Sequence, residues 1–419
     1  MKVLVVGGGG REHALVWRLQ GSPSVKEVFC APGNAGIAAD ARCVATKADD
    51  LGGLVALAKS QRVDLVVVGP EAPLVAGLAD RLSAAGVPVF GCSAAAAELE
   101  GSKAFSKAFM ARHQIPTAAF GVFTRIDEVD RFVDGASERR WVVKADGLAA
   151  GKGVTLCADR AEAKREARRM LEGALGSAGA RVVIEEFLVG REASLMSLAN
   201  GEQVVALAPA EDHKTIFDGD RGPMTGGMGV VSPTPVMNSD AIEHATRDVL
   251  QKTVDGMRAD GRPFRGLLYA GLMLTADGPK VLEFNCRFGD PETQALMMRW
   301  ESDLALELLA IANGKLPTTI CFSSDAAVCV TMAAPGYPGT PALGQPIEGL
   351  KRVAKMQDVK VFHAGTRQQG DRLVTAGGRV LGVTARGATV EKARALAYAA
   401  VTEIHFEGAQ FRRDIGARP

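Results

Sequence analysis

The sequence lacks any surplus of charge: 49 Lys and Arg face 48 Asp and Glu, for a net charge of +1. That near-balance argues against a protein that holds nucleic acid mainly through bulk positive charge. It also lacks any apolar run near the roughly 18 residues of a membrane span. The start, Met1-Lys2-Val3-Leu4-Val5-Val6-Gly7, is expected not to act as a signal peptide, because its apolar stretch is too short. Cysteines are few: Cys30, Cys43, Cys92, Cys157, Cys286, Cys321 and Cys329. Their odd number and the lack of any C-x-x-C exclude a disulfide framework or zinc ribbon, and reduced thiols in a cytoplasm are expected. The six histidines form no H-x-x-x-H pair, which disfavours histidine–zinc chemistry. What remains is an ordinary globular composition, 47% apolar, in 419 residues. At roughly 150 residues per domain, that length fits about two to four domains.

The first hundred residues alternate strand and helix. Strands are expected at Val3–Val6, Val25–Cys30, Val63–Val68 and Val87–Phe90, with helices at His13–Gln20, Leu54–Ser60 and Gly77–Ala85. Apolar runs alternating with helices indicate a parallel doubly wound sheet, whose ligands bind at the carboxyl ends of the strands. After Gly101 a helix is expected over Lys103–His113, from the spacing of Ala104, Phe105, Ala108 and Phe109. Strands at Phe120–Phe123, Trp141–Lys144, Val154–Cys157 and Val182–Glu186 around a helix at Arg160–Glu172 suggest a small α+β lobe. A larger mixed region follows, with a helix near Ser239–Ala259 and strands near Leu267–Leu274 and Lys280–Phe284. The last ninety residues carry short strands (Ala326–Met332, Val359–His363, Arg379–Ala385) and a helix, Val390–Ile404. No repeat or low-complexity linker interrupts the chain.

Gly7-Gly8-Gly9-Gly10-Arg11-Glu12-His13 follows a strand and opens a helix, where backbone N–H groups make an anion site. The dinucleotide fingerprint G-x-G-x-x-G fails, because its third glycine would be Glu12 or His13, and the second strand ends without an acid. A phosphorylated small molecule fits better, with Arg11 as an extra cation. The competing reading is a tight packing turn. Further on, Lys144 ends a strand before Asp146-Gly147-Leu148-Ala149-Ala150-Gly151-Lys152-Gly153. This is not a P-loop, since Gly153 follows Lys152 where Ser or Thr is required. A glycine hairpin bracketed by lysines can still fold over a polyphosphate, with Lys103 as another point charge.

In Glu185-Glu186-Phe187-Leu188-Val189-Gly190-Arg191-Glu192, the spacing suits adenosine. Glu185 can accept from the exocyclic amine, the Leu188 backbone can pair with the ring edge, and Glu192 can hold ribose hydroxyls. In Lys280-Val281-Leu282-Glu283-Phe284-Asn285-Cys286-Arg287, strand alternation places Glu283, Asn285 and Arg287 on one face. A carboxylate beside an amide oxygen suits a hard cation that keeps other sites for phosphate oxygens and water. Arg287 would then lie beside a transferring phosphoryl group.

Together these segments resemble the ATP-grasp ligases, and within them the glycinamide ribonucleotide synthetase (phosphoribosylamine–glycine ligase) family. The resemblance runs nearly end to end. It includes Val5–Ala14, Ala31–Gly36, Val68–Glu71, Glu100–Lys103, Lys144–Gly153, Asp212-His213-Lys214 and Thr225–Gly229, then Glu283–Glu292, Phe362-His363-Ala364-Gly365-Thr366 and Arg413-Asp414-Ile415-Gly416. Met224 stands where the family often has Asn, and Val230-Val231 where Ala-Tyr is frequent. The acidic metal ligand that many ATP-grasp ligases carry before the Glu-x-Asn pair is replaced by Tyr269-Ala270-Gly271, as in this family.

The resemblance implies an N-terminal α/β substrate-side domain at 1–100, a doubly wound parallel sheet of the pre-ATP-grasp kind. A helical connection would span 101–122, the small ATP-grasp lid lobe 123–192, the core lobe with the metal strand 193–325, and a β-rich C-terminal domain 326–419. The implied reaction joins glycine to 5-phosphoribosylamine with ATP, through glycyl phosphate, giving glycinamide ribonucleotide, ADP and phosphate. Arg287, Lys144 and Asp212 are the expected catalytic residues. Lys103, Lys144, Gly151, Lys152, Gly153, Glu185, Glu186, Leu188 and Glu192 would bind ATP. Glycine and the ribosylamine would meet Gly9, Gly10, Gly33, Asn34, Asp212, Lys214, Thr225, Arg287 and Asp290. Glu283 and Asn285 would hold Mg2+ or Mn2+. The alternatives are another ATP-grasp carboxylate–amine ligase of purine metabolism and a non-catalytic nucleotide-binding regulator. No nucleic acid or membrane partner is implied, a monomer is the default, and no fused downstream purine enzyme is expected.

Overall fold

The structure, a computed structural model, describes residues 1–137, 140–148 and 153–417. The first sheet is parallel, in the order β3-β2-β1-β4-β5: Arg42–Cys43, Glu27–Pro32, Lys2–Gly7, Leu65–Val68 and Val89–Phe90. All four residues of β4 are buried, because helices cover both faces. The order reverses direction between β1 and β4, so the loops after these two strands flank the switch-point crevice.

Helix α1 spans Gly10–Gln20, three residues earlier than the apolar spacing suggested, because Gly10, Arg11 and Glu12 already take helical geometry after the extended N-cap Gly9. The expected helix over Arg160–Glu172 ends at Arg169. Beyond it the chain widens over Met170–Ala174, where Gly173 adopts φ +95°. Helices Glu292–Arg299 and Leu304–Ala312 carried no periodic signal. Every residue of the first is buried, so it has no polar face to set a period.

Among the described residues three larger antiparallel sheets follow, beside two-stranded ribbons of Thr215–Phe217 with Arg221–Met224 and Thr366–Gln369 with Arg372–Thr375. One holds Phe120–Phe123, Val182–Glu186, Trp141–Ala145 and Val154–Cys157 in that order. Its own core gathers Trp141, Val143, Ala163, Ala167 and Ile184. The second holds Val204–Ala206, Arg191–Asn200, Arg265–Thr275 and Gly278–Asn285. Its Leu268 and Phe284 share one core with Leu4 and Phe29 of the parallel sheet, so these two bodies are continuous.

The last sheet runs Glu211–Asp212, Gly229–Ser232, Ala326–Ala333, Arg379–Gly387, Val359–His363. Two of its strands precede residue 326, so the expected boundary there does not separate sheets. Gly229 pairs with Val330 and Ser232 with Ala327 across it. Among the described residues, no helix is long and apolar enough to cross a membrane.

Candidate active site

The four-glycine loop is organised around an anion of the chain itself. Glu12, in the first turn of α1, accepts from the Gly9 N–H at 2.6 Å and from Arg11 Nε at 2.6 Å. This is the reach-back carboxylate of a helix start. A Cβ on Gly69 would stand 2.2 Å from Glu12 Oε1, so that glycine makes room for the carboxylate. Arg11 also donates to the Phe288 carbonyl at 3.1 Å. The expectation that Arg11 serves as an extra phosphate cation is therefore corrected: its guanidinium is buried and engaged by Glu12 and the backbone.

A narrow crevice lies over the sheet that holds Arg191–Asn200, Arg265–Thr275 and Gly278–Asn285, lined by Glu192, Leu272 and Leu282 of that sheet together with Asp212 and Lys214. Lys103 begins the helix Lys103–Arg112, where Asp146 accepts from the Ala104 N–H at 2.6 Å and from Ser102 at 2.9 Å. Lys103 Nζ reaches the Gly147 carbonyl at 3.3 Å. Lys144, on the neighbouring strand, donates to the Leu282 carbonyl at 2.9 Å and pairs with Glu185 Oε1 at 2.9 Å. Glu185 Oε2 meets Lys107 at 2.9 Å. Lys107 donates in turn to Thr117 at 2.7 Å.

The Glu185 carboxylate expected to face an adenine amine is thus buried between two lysines. One lysine meets each of its oxygens, so lone pairs remain for a further donor. Burial lowers the Lys107 pKa to about 8 despite Glu185. Glu186 accepts from the Ala119 N–H at 2.9 Å. Leu188 packs with Ala118 and Met273. The Gly153 carbonyl accepts from the Ala145 N–H at 2.8 Å. Gly151 and Lys152 lie outside the described residues.

Glu283 stands on the strand Gly278–Asn285, 3.3 Å from Lys214 Nζ. Lys214 holds the Glu283 carboxyl down to about 2 against the opposing effect of burial, and Lys144 and Lys103 add to it. Lys214 also pairs with Glu192 at 3.8 Å. Although burial favours the neutral amine, Glu283 and Glu192 raise the Lys214 pKa well above 10.5. The strand ends at Asn285, whose Oδ1 accepts from Arg287 Nη2 at 3.1 Å.

Arg287 lies beyond the strand, and its guanidinium is held by Glu100 at 2.7 Å and by Glu71 at 3.2 Å. Burial opposes its charge, but the two carboxylates keep it protonated. Glu71 arrives from the loop after β4, so the parallel sheet's switch point reaches the end of the core sheet's last strand. Asp212 is buried beside Gly227, and burial together with Glu292 pushes its carboxyl well above 3.8. Thr225 accepts from the Gly227 N–H at 3.0 Å and donates to the Lys214 carbonyl at 2.7 Å. Its hydroxyl staples this loop and has no free donor for a ligand.

A second cavity, about 440 Å³, opens where the first and last sheets meet. Gly8, Gly9, Gly33 and Asn34 line one side, and Asp290, Thr366 and Arg379 are among the residues opposite. Gly10 packs behind it against Gln294. Arg379 pairs with Asp290 at 3.4 Å and donates to the Gly226 carbonyl at 2.6 Å. Asn34 donates to the carbonyls of Gly8 at 2.9 Å and His363 at 2.7 Å, while its Oδ1 accepts from Gly36 and Ile37 at 2.9 Å. Its amide therefore clasps two walls together.

Lys107, Glu71, Glu100, Arg379 and Thr366 were not anticipated. Lys107 lies four residues after Lys103 on one helix face, a spacing that could have flagged it. Thr366 ends the Phe362–Thr366 segment that carries the resemblance, a signal that could have flagged it, whereas Arg379 has none, since only the packing of distant sheets brings it here.

Glu283 and Asn285 offer a carboxylate held well below its ordinary pKa by Lys214 and an amide oxygen, a donor set that fits a hard divalent cation completed by phosphate and water oxygens. Among the described residues, no group of three or more His, Cys, Asp or Glu side chains forms a metal cage.

Comparison with known proteins bears on this arrangement. Family models for phosphoribosylglycinamide synthetase match in three parts: the N domain over residues 1–100, the ATP-grasp (A) domain over 101–293 and the C domain over 327–418. The phosphoribosylamine–glycine ligase of Caulobacter vibrioides is 52% identical over 421 residues, covering 100% of this chain and 98% of the relative. That of Allochromatium vinosum is 52% identical over 423 residues, with coverage of 100% and 98%. The crystal structure of the Thermotoga maritima phosphoribosylamine–glycine ligase superposes with a TM-score of 0.86 at 34% identity, covering 99% of this chain and 100% of that one. A biotin carboxylase domain from Hydrogenobacter thermophilus, solved with MgADP and bicarbonate, shares the fold at TM-score 0.74 and 17% identity, covering 98% and 91%.

Proposed function

Because the chain belongs to the phosphoribosylglycinamide synthetase family, we propose that its two cavities divide one reaction, nucleotide on one side and ribosylamine on the other. The reaction is the ATP-dependent ligation of glycine to 5-phosphoribosylamine, a step of purine biosynthesis giving glycinamide ribonucleotide, ADP and phosphate. The observation that carries the division is the segment 282–290, since Leu282 lines the crevice and Asp290 lines the open cavity. A group activated at one end of this segment is delivered to the other.

A glycine carboxylate is a poor electrophile, because its leaving group would be oxide. Attack of a carboxylate oxygen on the γ-phosphorus breaks the bond to ADP and makes glycyl phosphate. The ribosylamine nitrogen then attacks the acyl carbon, loses a proton, and phosphate departs. No side-chain nucleophile is required, so catalysis is positioning and charge stabilisation.

In this reading Lys103 and Lys144 hold phosphate oxygens, and Glu192 faces the ribose. Glu185 positions Lys144. Arg287, released from Glu71 or Glu100 by an incoming anion, faces the phosphoryl and acyl-phosphate oxygens. Asp212 and Lys214 bracket the glycine between the two cavities. Arg379 and the backbone of Gly8 and Gly9 face the ribosylamine. Glu283 and Asn285 would hold Mg2+ or Mn2+, which neutralises charge on the transferred group when bound. The lid sheet has a core of its own, which supports closure as a rigid body over a water-sensitive acyl phosphate. All seven cysteines are free thiols, which fits a reducing cytoplasm.

The test is ADP release with ATP, freshly made phosphoribosylamine and, in turn, glycine, formate or bicarbonate. Glycine alone should support turnover. Turnover with formate or bicarbonate instead would assign another ATP-grasp ligase, and nucleotide binding without ADP release would assign a regulator.

A further inference from the structure

The wall of the open cavity is held from outside by a histidine that does not line it. Strand Val359–His363 is the outer strand of the last sheet, paired on one side only, with Arg379–Gly387. Its other edge presents backbone groups that need partners. At His363 the parallel-sheet domain supplies them. His363 donates its N–H to His13 Nδ1 at 2.7 Å. The His363 carbonyl accepts from Asn34, the same amide that holds Gly8.

An imidazole nitrogen that accepts an N–H carries a lone pair, so His13 is unprotonated at Nδ1. Its proton sits on Nε2, which donates to Asp40 Oδ2 at 3.0 Å. Lys360 binds the same Asp40 oxygen at 2.8 Å. His13 is only 2% exposed and packs edge-on against Phe362, so the ring has one orientation. Directly after His363 come Ala364, Gly365 and Thr366, all facing the cavity.

We propose that His13 is a positioning residue for the ribosylamine site: as the neutral Nε2–H tautomer it fixes the His363 peptide and thereby sets the Ala364–Thr366 wall. The proposal rests on the reading that this cavity takes phosphoribosylamine. The competing role is structural, with the His13–Asp40–Lys360 cluster acting as a charged interdomain rivet.

Two substitutions separate these roles. His13→Asn places its amide oxygen near the Nδ1 position, keeping the acceptor for His363 and losing the donor to Asp40. His13→Gln does the reverse. The positioning role predicts that His13→Gln raises KM for phosphoribosylamine about tenfold or more, the scale of an orphaned buried donor. His13→Asn should stay within about twofold of wild type on the same grounds. KM for ATP should be unchanged in both. The reverse ranking, or equal effects on both substrates, overturns the proposal.

Thr366→Val and Arg379→Lys serve as controls. If both leave KM for phosphoribosylamine untouched, the cavity reading itself fails. If they raise it while His13→Gln does not, only the role of His13 fails. Should His13→Gln not fold, the wild-type enzyme still decides: ¹⁵N imidazole shifts must show His13 protonated at Nε2 and bare at Nδ1. A proton on Nδ1 contradicts the proposal.

Discussion

The crevice proposed for the nucleotide and the open cavity proposed for the ribosylamine use different means to stay in shape. Beside the crevice opposite charges stand in series: buried Lys107, Glu185 and Lys144, and the partly exposed Lys214 between Glu192 and Glu283. Lys214 holds the Glu283 carboxyl down, and Glu283 and Glu192 hold the Lys214 ammonium up. The cavity is walled mostly by glycine and backbone, with Asn34 and a neutral His13 fastening loops from two domains. A polyphosphate with its cation calls for fixed charges. A phosphorylated ribose bearing a nucleophilic amine calls for close-fitting backbone, a cation such as Arg379, and an amine left unprotonated. In the crevice, removing a side chain exposes an unpaired charge; in the cavity, it lets a wall drift.

The largest effect expected is at the junction between the two. Arg287→Ala should cut turnover about a hundredfold or more, as for loss of one charge-stabilising donor, and leave KM for ATP within a few-fold. It also strands Glu71 and Glu100, which can cost about 3–5 kcal/mol of stability. Arg287→Lys, with a denaturation midpoint measured alongside, keeps the charge and tests the fork of donors alone. Equal loss in turnover and ATP affinity would erase the distinction between catalysis and binding drawn here.

Next, Lys107→Met should raise KM for ATP about tenfold, because Glu185 then swings toward a single partner and Lys144 loses its aim. KM for phosphoribosylamine should not move. Gly36→Ala should do the opposite. A Cβ there would stand 2.3 Å from the His363 ring, so the cavity wall must shift. A several-fold rise in KM for phosphoribosylamine is expected, with ATP unaffected. Crossed effects in either variant would show the two sides to be one mechanical unit.

These two sides were also unequally legible. Lys103, Lys144, Glu283 and Asn285 stand at strand ends or helix starts, where spacing alone assigns a direction and a chemistry. The parallel sheet was legible too, because apolar runs buried on both faces leave a plain signature. The cavity was half-hidden. Gly9, Gly33 and Asn34 could be named, but Asn34 meets His363 across 329 residues, and no local pattern announces a contact at that distance. The partners of Glu12 and Glu185 within the chain were not legible either: Arg11 and the Gly9 N–H for the first, Lys107 and Lys144 for the second. Helix Glu292–Arg299 stayed unread because burial on all sides removes amphipathic contrast.

The smallest expected effect concerns stability. Burial, with His13 and Lys360 adding, lowers His363 from 6.5 to about 3. The unfolded ring binds a proton near pH 6.5 and the folded ring does not until about 3, so this group makes the fold less stable as pH falls through that window. Urea midpoints at pH 7 and 5 should therefore differ less in His363→Asn than in wild type. An identical difference would mean that His363 is not held neutral at the interface.

The central claim, that ATP activates glycine by phosphorylating its carboxylate, is met most directly by oxygen tracing. With glycine labelled by ¹⁸O in both carboxylate positions, one labelled oxygen should leave in each inorganic phosphate and one should remain in the amide product. Unlabelled phosphate, its oxygen drawn from solvent, would contradict the acyl phosphate and the division of labour built on it.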